Sequence, residues 1–166
     1  MIRKPIGRNE HIKRLSREHH FSLLFCWKIR QGLKNNIQPQ RICEYVKSFW
    51  HQNMQQHFQE EEKILFAPIK GRQVKRAINE HKQIRQEIED LANNFGKIDV
   101  QKTLARIADK VNDHVRYEER ELFPHLERKL SKEQLENIGN QIQKQYSLPP
   151  VDQYEDEFWN INAVSH

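Results

Sequence analysis

Long apolar runs are missing from this sequence. Nowhere do about 18 apolar residues follow one another, which is the length that a helix needs to cross a membrane. Residues 1–15 also lack the apolar core of a secretory signal peptide. We therefore expect a cytoplasmic protein that has no contact with a membrane.

Glycine, proline and cysteine are scarce. The 166 residues include five glycines, six prolines and two cysteines, while 31% of the residues are charged. This composition favours helices and leaves little material for β-turns, so we predict an all-α fold. Cys26 and Cys43 lie in apolar helical stripes without metal-finger spacing, which favours buried free thiols in a reducing compartment.

No long block of the chain carries charge of one sign. The 28 Lys and Arg residues outnumber the 23 Asp and Glu residues and give a net charge of +5, but the two kinds alternate along the chain. Alternating charges are typical of solvated helix faces, and we expect no nucleic-acid partner.

Four segments have the 3.6-residue apolar period of amphipathic helices. We predict the first two helices over residues 9–33 and 39–66, and the next two around the apolar stripes at 74–91 and 104–122. The segments are separated by short stretches with Pro, Gly or Asn, which favours an up-down four-helix bundle. A chain of this length can bury a core as one domain.

Proline, glycine and serine mark the expected helix ends. Gly32 is predicted to end the first helix, and Pro124 is predicted to break or kink the fourth. Ser131 is predicted to cap a short fifth helix over residues 132–145.

A tail follows the helical part of the chain. We expect the bundle domain over residues 1–145 and the tail over residues 146–166. The tail has little helical period, but Phe158 and Trp159 are large apolar groups that favour its packing on the bundle.

Each of the four apolar stripes contains a histidine near its middle: His19, His57, His81 and His114. A single such histidine is usually a satisfied core residue, because a lone imidazole finds a backbone partner. Four histidines at similar depth are costly to bury unless they share a partner. A metal ion would satisfy all of them.

Glutamates follow two of these histidines by one helical turn, in His57-x-x-x-Glu61 and His114-x-x-x-Glu118. Residues at i and i+4 share a helix face, so each pair presents a nitrogen and a carboxylate to one point. The spacing alone is a weak signal, because about one such pair is expected by chance in a chain of this composition.

An internal repeat strengthens the signal. Both pairs are followed by Glu, then Leu-Phe, then Pro, and Glu18-His19 in the first helix matches Glu80-His81 in the third. The chain therefore divides into two related helical hairpins, which would place two half-sites face to face.

The donor set favours two metal ions. Four imidazoles and two carboxylates exceed what one tetrahedral zinc ion needs, and nitrogen and oxygen ligands without thiolate suit a pair of iron or manganese ions. We expect Glu61 and Glu118 to bridge the ions, with two histidines for each. Neighbouring glutamates rotate off the inward face and are predicted to be solvated charges: Glu60, Glu62, Glu119 and Glu121.

Two adjacent histidines compete for the ligand position in the first helix. The apolar stripe passes through His19, and the repeat pairs His19 with His81. His20 shares a face with Leu24 and Trp27 instead. We favour His19 and keep His20 as the second candidate.

The chain resembles the hemerythrin-like His-His-Glu cation-binding family over roughly residues 10 to 130. The resemblance rests on Ser16-Arg-Glu-His19-His20, on His57-Phe58-x-x-Glu61-Glu62-x-x-Leu65-Phe66, on Glu80-His81 and on His114-x-x-x-Glu118-Glu119-x-x-Leu122-Phe123-Pro124. It implies a four-helix bundle around two iron ions, Fe2+ or Fe3+, bridged by oxide or hydroxide, with manganese or zinc as substitutes. The ligands that it implies are the ones inferred above: His19 or His20, His57, Glu61, His81, His114 and Glu118.

One departure separates the chain from the oxygen-carrying hemerythrins that it otherwise resembles. Those proteins have a second histidine one turn from the ligand in helix three, and an aspartate in helix four. Here the positions one turn from His81 are Ala77 and Arg85, and helix four offers Glu118. The set has one nitrogen fewer, which opens a coordination position and counts against reversible oxygen carriage.

Three functions stay open at this stage. The first is a protein that binds or senses a small diatomic ligand, oxygen or nitric oxide, or that handles iron. The second is a di-iron enzyme that turns over oxygen, peroxide or nitric oxide, or a stress-related protein that repairs iron centres. The third is a bundle with structural histidines and a protein partner. The sequence identifies no redox partner.

Overall fold

Helices form nearly all of the regular structure. A computed structural model describes residues 7–145 and 152–160, and these residues form five helices, a short 3₁₀ turn and no strand, which confirms the all-α prediction. In chain order the helices are α1 at Lys13–Lys34, α2 over residues 39–65, α3 at Arg72–Asn93, α4 over residues 100–129 and α5 at Lys132–Gln145. None of these helices has the length and hydropathy that a bilayer crossing requires.

Helices α2 and α4 each widen into π-helical turns. Helix α2 is α-helical at Pro39–Phe49 and Gln55–Glu60, with π-helical turns at Trp50–Met54 and Glu61–Leu65. Helix α4 is α-helical at Val100–Tyr117 and Phe123–Lys129, with a π-helical turn at Glu118–Leu122 between them. Such turns are rare and are often found at functional sites.

The first four helices form the predicted four-helix bundle. Each packs against the next, and α4 returns to pack against α1 in the most extensive of these contacts. Short connections make successive helices antiparallel. Helix α5 packs on the end of α2, and Ser131 caps it as predicted, because the Ser131 hydroxyl accepts a hydrogen bond from the Gln134 N–H.

Gly32 does not end the first helix. Helix α1 continues to Lys34, and the left-handed residue beyond it is Asn36, with a φ of 55°. Gly32 lies instead at a close approach: a Cβ atom added there would lie 2.8 Å from both Ile42 Cδ1 and Phe158 Cε2. The position requires glycine for packing, and not for a turn.

Pro124 does not break the fourth helix, which was one of the two outcomes predicted for it. The Phe123 N–H reaches back to the Glu118 carbonyl in the π-helical turn. The Glu119 carbonyl would next accept a hydrogen bond from residue 124, but that residue is a proline and has no backbone N–H. Arg8 supplies the missing donor, with Nη2 2.8 Å from that carbonyl oxygen, and the helix continues to Lys129.

Two apolar clusters fill the bundle on either side of a polar layer. The tail-side cluster includes Phe25, Phe49, Ile84, Val111 and Phe158. The α5-side cluster includes Leu15, Leu65, Ala77, Phe123 and Ile138. Between them, on each helix of the bundle, lie the six buried side chains that we name the polar layer: His19, His57, Glu61, His81, His114 and Glu118.

Part of the predicted tail is described, as residues 152–160. Phe158 is fully buried in the tail-side cluster, and Asp152 Oδ2 lies 2.6 Å from Lys28 Nζ in a buried ion pair. Trp159 lies under the same lysine, with the Nζ atom 4.0 Å from its ring centroid. The remainder of the predicted tail lies outside the described residues.

Candidate metal centre

The carboxylate of Glu61 lies among three histidines of the polar layer. Its Oε1 is 3.2 Å from His57 Nε2 and 3.3 Å from His81 Nε2. Its Oε2 is 3.6 Å from His19 Nε2. These three histidines come from α2, α3 and α1, so one carboxylate on α2 meets nitrogens from two other helices as well as its own.

Glu118 occupies the matching position on α4. Its Oε1 contacts His114 Nε2 and lies 3.7 Å from His19 Nε2 and 3.9 Å from His81 Nε2. Each of the two glutamates is therefore close to histidines on both sides of the bundle axis. All six side chains of the polar layer are at most 5% exposed.

The six side chains form two groups of four donors that share both glutamates. One group adds His19 and His57, and the other adds His81 and His114. Within each group the donor atoms lie within 4.8 Å of one another. Two groups joined by shared carboxylates fit a pair of ions that lie side by side, each with two imidazole nitrogens.

The donor atoms of the polar layer lack hydrogen-bond partners among the described residues. This holds for the Nε2 atoms of all four histidines and for both carboxylate oxygens of Glu61 and of Glu118. Burying one such atom without a partner costs roughly 1–3 kcal/mol. Eight such atoms face one interior space, and bound cations account for this arrangement better than a structural role does.

The histidines and glutamates of the layer shift one another's pKa values. Burial lowers the pKa of His57, but Glu61 and Glu18 outweigh burial and raise that pKa to about 9. Burial and Glu118 raise the pKa of Glu61, but His57 and His19 outweigh them and lower it to about 2. The other members shift in the same directions, with raised pKa values for the histidines and a lowered value for the glutamate. The carboxylates therefore favour the protonated form of the histidines. A cation that binds there must displace those protons.

Each of the two central glutamates begins a π-helical turn. The Glu61 carbonyl accepts a hydrogen bond from the Phe66 N–H at 2.8 Å, and the Glu118 carbonyl accepts one from the Phe123 N–H. The extra residue in each turn brings an aromatic ring back toward the layer. The Phe66 ring lies 6.1 Å from that of His81, and the Phe123 ring lies 5.3 Å from that of His19.

Three of the four neighbouring glutamates are not the solvated charges that the sequence predicts. Glu60 is buried and accepts two hydrogen bonds from Arg14 Nη2, at 2.8 and 2.9 Å. Glu119 accepts from the Ser16 hydroxyl at 2.6 Å and lies 2.6 Å from His19 Nδ1. Glu62 lies 3.6 Å from His81 Nδ1.

Two more glutamates, which the sequence analysis named in the repeat without giving them a role at the site, face the outer nitrogens of histidines. Glu80 Oε1 lies 2.8 Å from His114 Nδ1, and Glu18 Oε2 lies 3.6 Å from His57 Nδ1. The repeated Glu-His and Glu-Glu dipeptides were the sequence signal that could have identified these outer glutamates. Neighbours in a helix point about 100° apart, so one member of each dipeptide faces the centre and the other member, always a glutamate, faces an adjacent helix.

The structure brings His19, and not His20, to the polar layer. His20 is exposed and belongs to neither group of donors. Cys26 and Cys43 are free and buried in the tail-side cluster. Burial raises the pKa of the Cys26 thiol to about 12, which keeps it protonated and unsuited to bind a metal.

Comparison with known protein families gives a match over most of the chain. Residues 10–126 match the model of a family described as the hemerythrin HHE cation binding domain. These residues are more than half of the chain and contain the whole polar layer. Searches of curated proteins and of solved structures give no match.

Proposed function

The chain belongs to the hemerythrin HHE cation-binding family, and from that premise we propose that its polar layer holds two iron ions that bind or sense a small diatomic ligand, or serve in handling iron. The observation that carries the proposal is the pair of donor groups that share Glu61 and Glu118. A structural role would need one hydrogen bond for each buried polar atom, and these atoms make none with the described residues.

Each of the two donor groups would hold one ion. His19 and His57 would hold one ion, His81 and His114 the other, and the two glutamates would bridge the pair. When bound, the iron ions supply open coordination positions and a change of oxidation state. The apolar clusters on both sides keep bulk water away from the layer.

Iron is the proposed metal because of the chemistry of the donors. The layer offers imidazole nitrogens and carboxylate oxygens but no thiolate, which suits iron or manganese better than a structural zinc site. Manganese and zinc remain the substitutes that metal analysis would detect.

The size of a cavity beside His57 favours a small ligand. It lies between α1 and α2 beside His57, has a volume of about 20 Å³, and is lined in part by Phe21, Phe49 and Met54. A cavity of roughly 10–15 Å³ is enough for a single water molecule. The cavity therefore accommodates a molecule of about the size of oxygen or nitric oxide beside His57.

Metal analysis with an absorption spectrum tests the proposal. Protein purified in air should contain about two iron ions per chain and should absorb in the near ultraviolet, as bridged ferric pairs do. Correctly folded protein that stays colourless and free of metal after ferrous salts are supplied without oxygen would contradict the proposal.

The second candidate is a di-iron enzyme that turns over oxygen, peroxide or nitric oxide. The observation that favours it is the absent seventh donor near His81: Ala77 has no ligand atom, and the Arg85 guanidinium lies 5.8 Å from the Trp50 ring centroid. A centre with fewer protein ligands leaves more positions for chemistry. Reduced protein that consumes oxygen or nitric oxide once per site supports binding, whereas repeated consumption with a supplied reductant supports the enzyme.

A further inference from the structure

The outer nitrogens of the four histidines face a ring of carboxylates. Each Nδ1 atom points away from the centre of the polar layer toward one glutamate of an adjacent helix. The pairs are His57 with Glu18, His81 with Glu62, His114 with Glu80, and His19 with Glu119.

The ring closes on itself around the bundle. Glu18 of α1 faces the histidine of α2, and Glu62 of α2 faces the histidine of α3. Glu80 of α3 faces the histidine of α4, and Glu119 of α4 faces the histidine of α1. Every helix therefore supplies one such carboxylate and one such histidine. The four glutamates, which we name the outer glutamates, are only 13% to 27% exposed.

Arginines hold three of the outer glutamates in place. Arg8 Nη2 lies 2.9 Å from Glu119, and Arg76 Nε lies 3.0 Å from Glu80. Arg14 Nε lies 3.5 Å from Glu18, in the same Arg-x-x-x-Glu-His spacing that Arg76 has. An arginine is a fixed cationic hydrogen-bond donor, so it holds its carboxylate in position.

The four contacts are not equal. His19 Nδ1 and His114 Nδ1 lie 2.6 and 2.8 Å from their carboxylates, which is hydrogen-bond distance. The other two pairs are each 3.6 Å apart, which is too long for a direct bond. Each donor group of the centre therefore contains one histidine that is tightly held and one that is loosely held.

We infer that Glu119 and Glu80 are positioning residues for the two ions, one for each donor group, which fix Nδ1 as the protonated nitrogen of His19 and His114 so that Nε2 faces the metal. A carboxylate accepts and cannot donate, so the Nδ1 atom opposite must carry the hydrogen. A histidine oriented in this way is a stronger ligand, and loss of such a partner typically weakens metal binding 10- to 100-fold. The inference rests on the proposed function.

The first test uses Glu80→Gln and Glu119→Gln in the full-length protein, titrated with Co2+ or anaerobic Fe2+. Glutamine keeps the size of the side chain and removes its charge, while Glu80→Ala and Glu119→Ala remove the contact altogether. We expect a 10- to 100-fold weaker affinity for one of the two ions in the alanine variants and a smaller loss in the glutamine variants. The Co2+ absorption bands should change as well, which a merely structural role would not cause.

Glu87→Gln is the matched control. Glu87 lies two turns after Glu80 on the same face of α3, but it pairs with Arg106 at 3.2 Å and Lys110 at 3.4 Å, away from the polar layer. It should leave metal affinity unchanged. Circular dichroism of the metal-free variants shows whether each still folds.

A second test assigns each glutamate to its ion. In a His19→Ala background the ion held by His81 and His114 should remain, and adding Glu119→Ala should not weaken it further. Adding Glu80→Ala to that background should weaken it 10- to 100-fold. The reverse pattern, or unchanged affinity in both folded alanine variants, would overturn the inference. Wild-type protein that binds no metal would overturn the proposed function instead.

Discussion

His81 and Ile84 lie one turn apart on α3 and are equally hidden from solvent, at 0% and 1% exposed. Both ring nitrogens of His81 lack a hydrogen-bond partner among the described residues, whereas Ile84 has no polar side-chain atom to satisfy. Burial costs free energy in the first case and supplies it in the second. The same contrast separates the whole polar layer from the apolar clusters on either side of it.

The two regions depend on different things. Each large apolar side chain in the clusters contributes roughly 1.5–3 kcal/mol to stability through its own burial. Each unsatisfied atom in the polar layer costs roughly 1–3 kcal/mol until something outside the chain satisfies it. The clusters therefore hold the bundle together, whereas the polar layer needs a partner from outside the chain to offset the cost of its burial.

The largest expected effect comes from removing a carboxylate that both donor groups share. Glu118→Ala should remove at least one of the two ions, because Glu118 belongs to both groups. It should also abolish most of the rise in melting temperature that added Fe2+ gives the wild type, since that rise reflects metal binding to the folded state. Elemental analysis and thermal unfolding with and without Fe2+ measure both effects.

Glu121→Ala is the control for this substitution. Glu121 lies in the same π-helical turn but is exposed. It should keep the metal content of the wild type. If Glu118→Ala also kept it, the polar layer would be no metal site, and the contrast with the clusters would lose its meaning.

The second effect concerns an apolar cluster alone. Phe158→Ala should lower the free energy of unfolding by about 3–5 kcal/mol, because Phe158 is fully buried and its removal leaves a large cavity. Its ring lies 5.5 Å from that of Tyr45, and both residues belong to the tail-side cluster. Metal content per folded chain should therefore stay the same. Urea unfolding measures the loss, and Phe95→Ala, at a phenylalanine that is 41% exposed, is the control.

The inward donors could be predicted from the sequence, whereas the outer glutamates could not. Helical period alone identifies the face on which His57 and Glu61 lie, and the repeat supports the choice. Period does not identify what a side chain meets on the next helix. Glu119 was therefore interpreted as a solvated charge, although its carboxylate lies 2.6 Å from His19 Nδ1.

Backbone features were also beyond reach of the sequence pattern. A proline in a helical stripe normally ends or kinks the helix, but the π-helical turn before Pro124 and the donor from Arg8 change the local hydrogen bonding. Gly32 was expected to end a helix because glycine is common there. Its contact with Phe158, which is 126 residues away in the chain, decides its role.

A smaller effect tests that contact in the tail-side cluster. Gly32→Ala should destabilise the protein by about 1–3 kcal/mol, because the new Cβ would lie 2.8 Å from Ile42 Cδ1 and Phe158 Cε2 and force the cluster to shift. In an exposed helix the same change stabilises by about 1 kcal/mol. Gly96→Ala is the matched control, since a Cβ added there meets nothing within 4 Å. Equal unfolding free energies for the two variants would contradict the close packing.

The smallest expected effect lies at the residue next to a proposed ligand. His20→Ala should change the free energy of unfolding by less than about 0.5 kcal/mol, because His20 is exposed and belongs to neither donor group. Its metal content should equal that of the wild type, whereas His19→Ala should lose one ion, since His19 supplies Nε2 to only one group. Elemental analysis of the two variants side by side decides the point. Loss of metal in the His20 variant alone would mean that α1 is rotated by one residue, about 100°, from its position in the bundle.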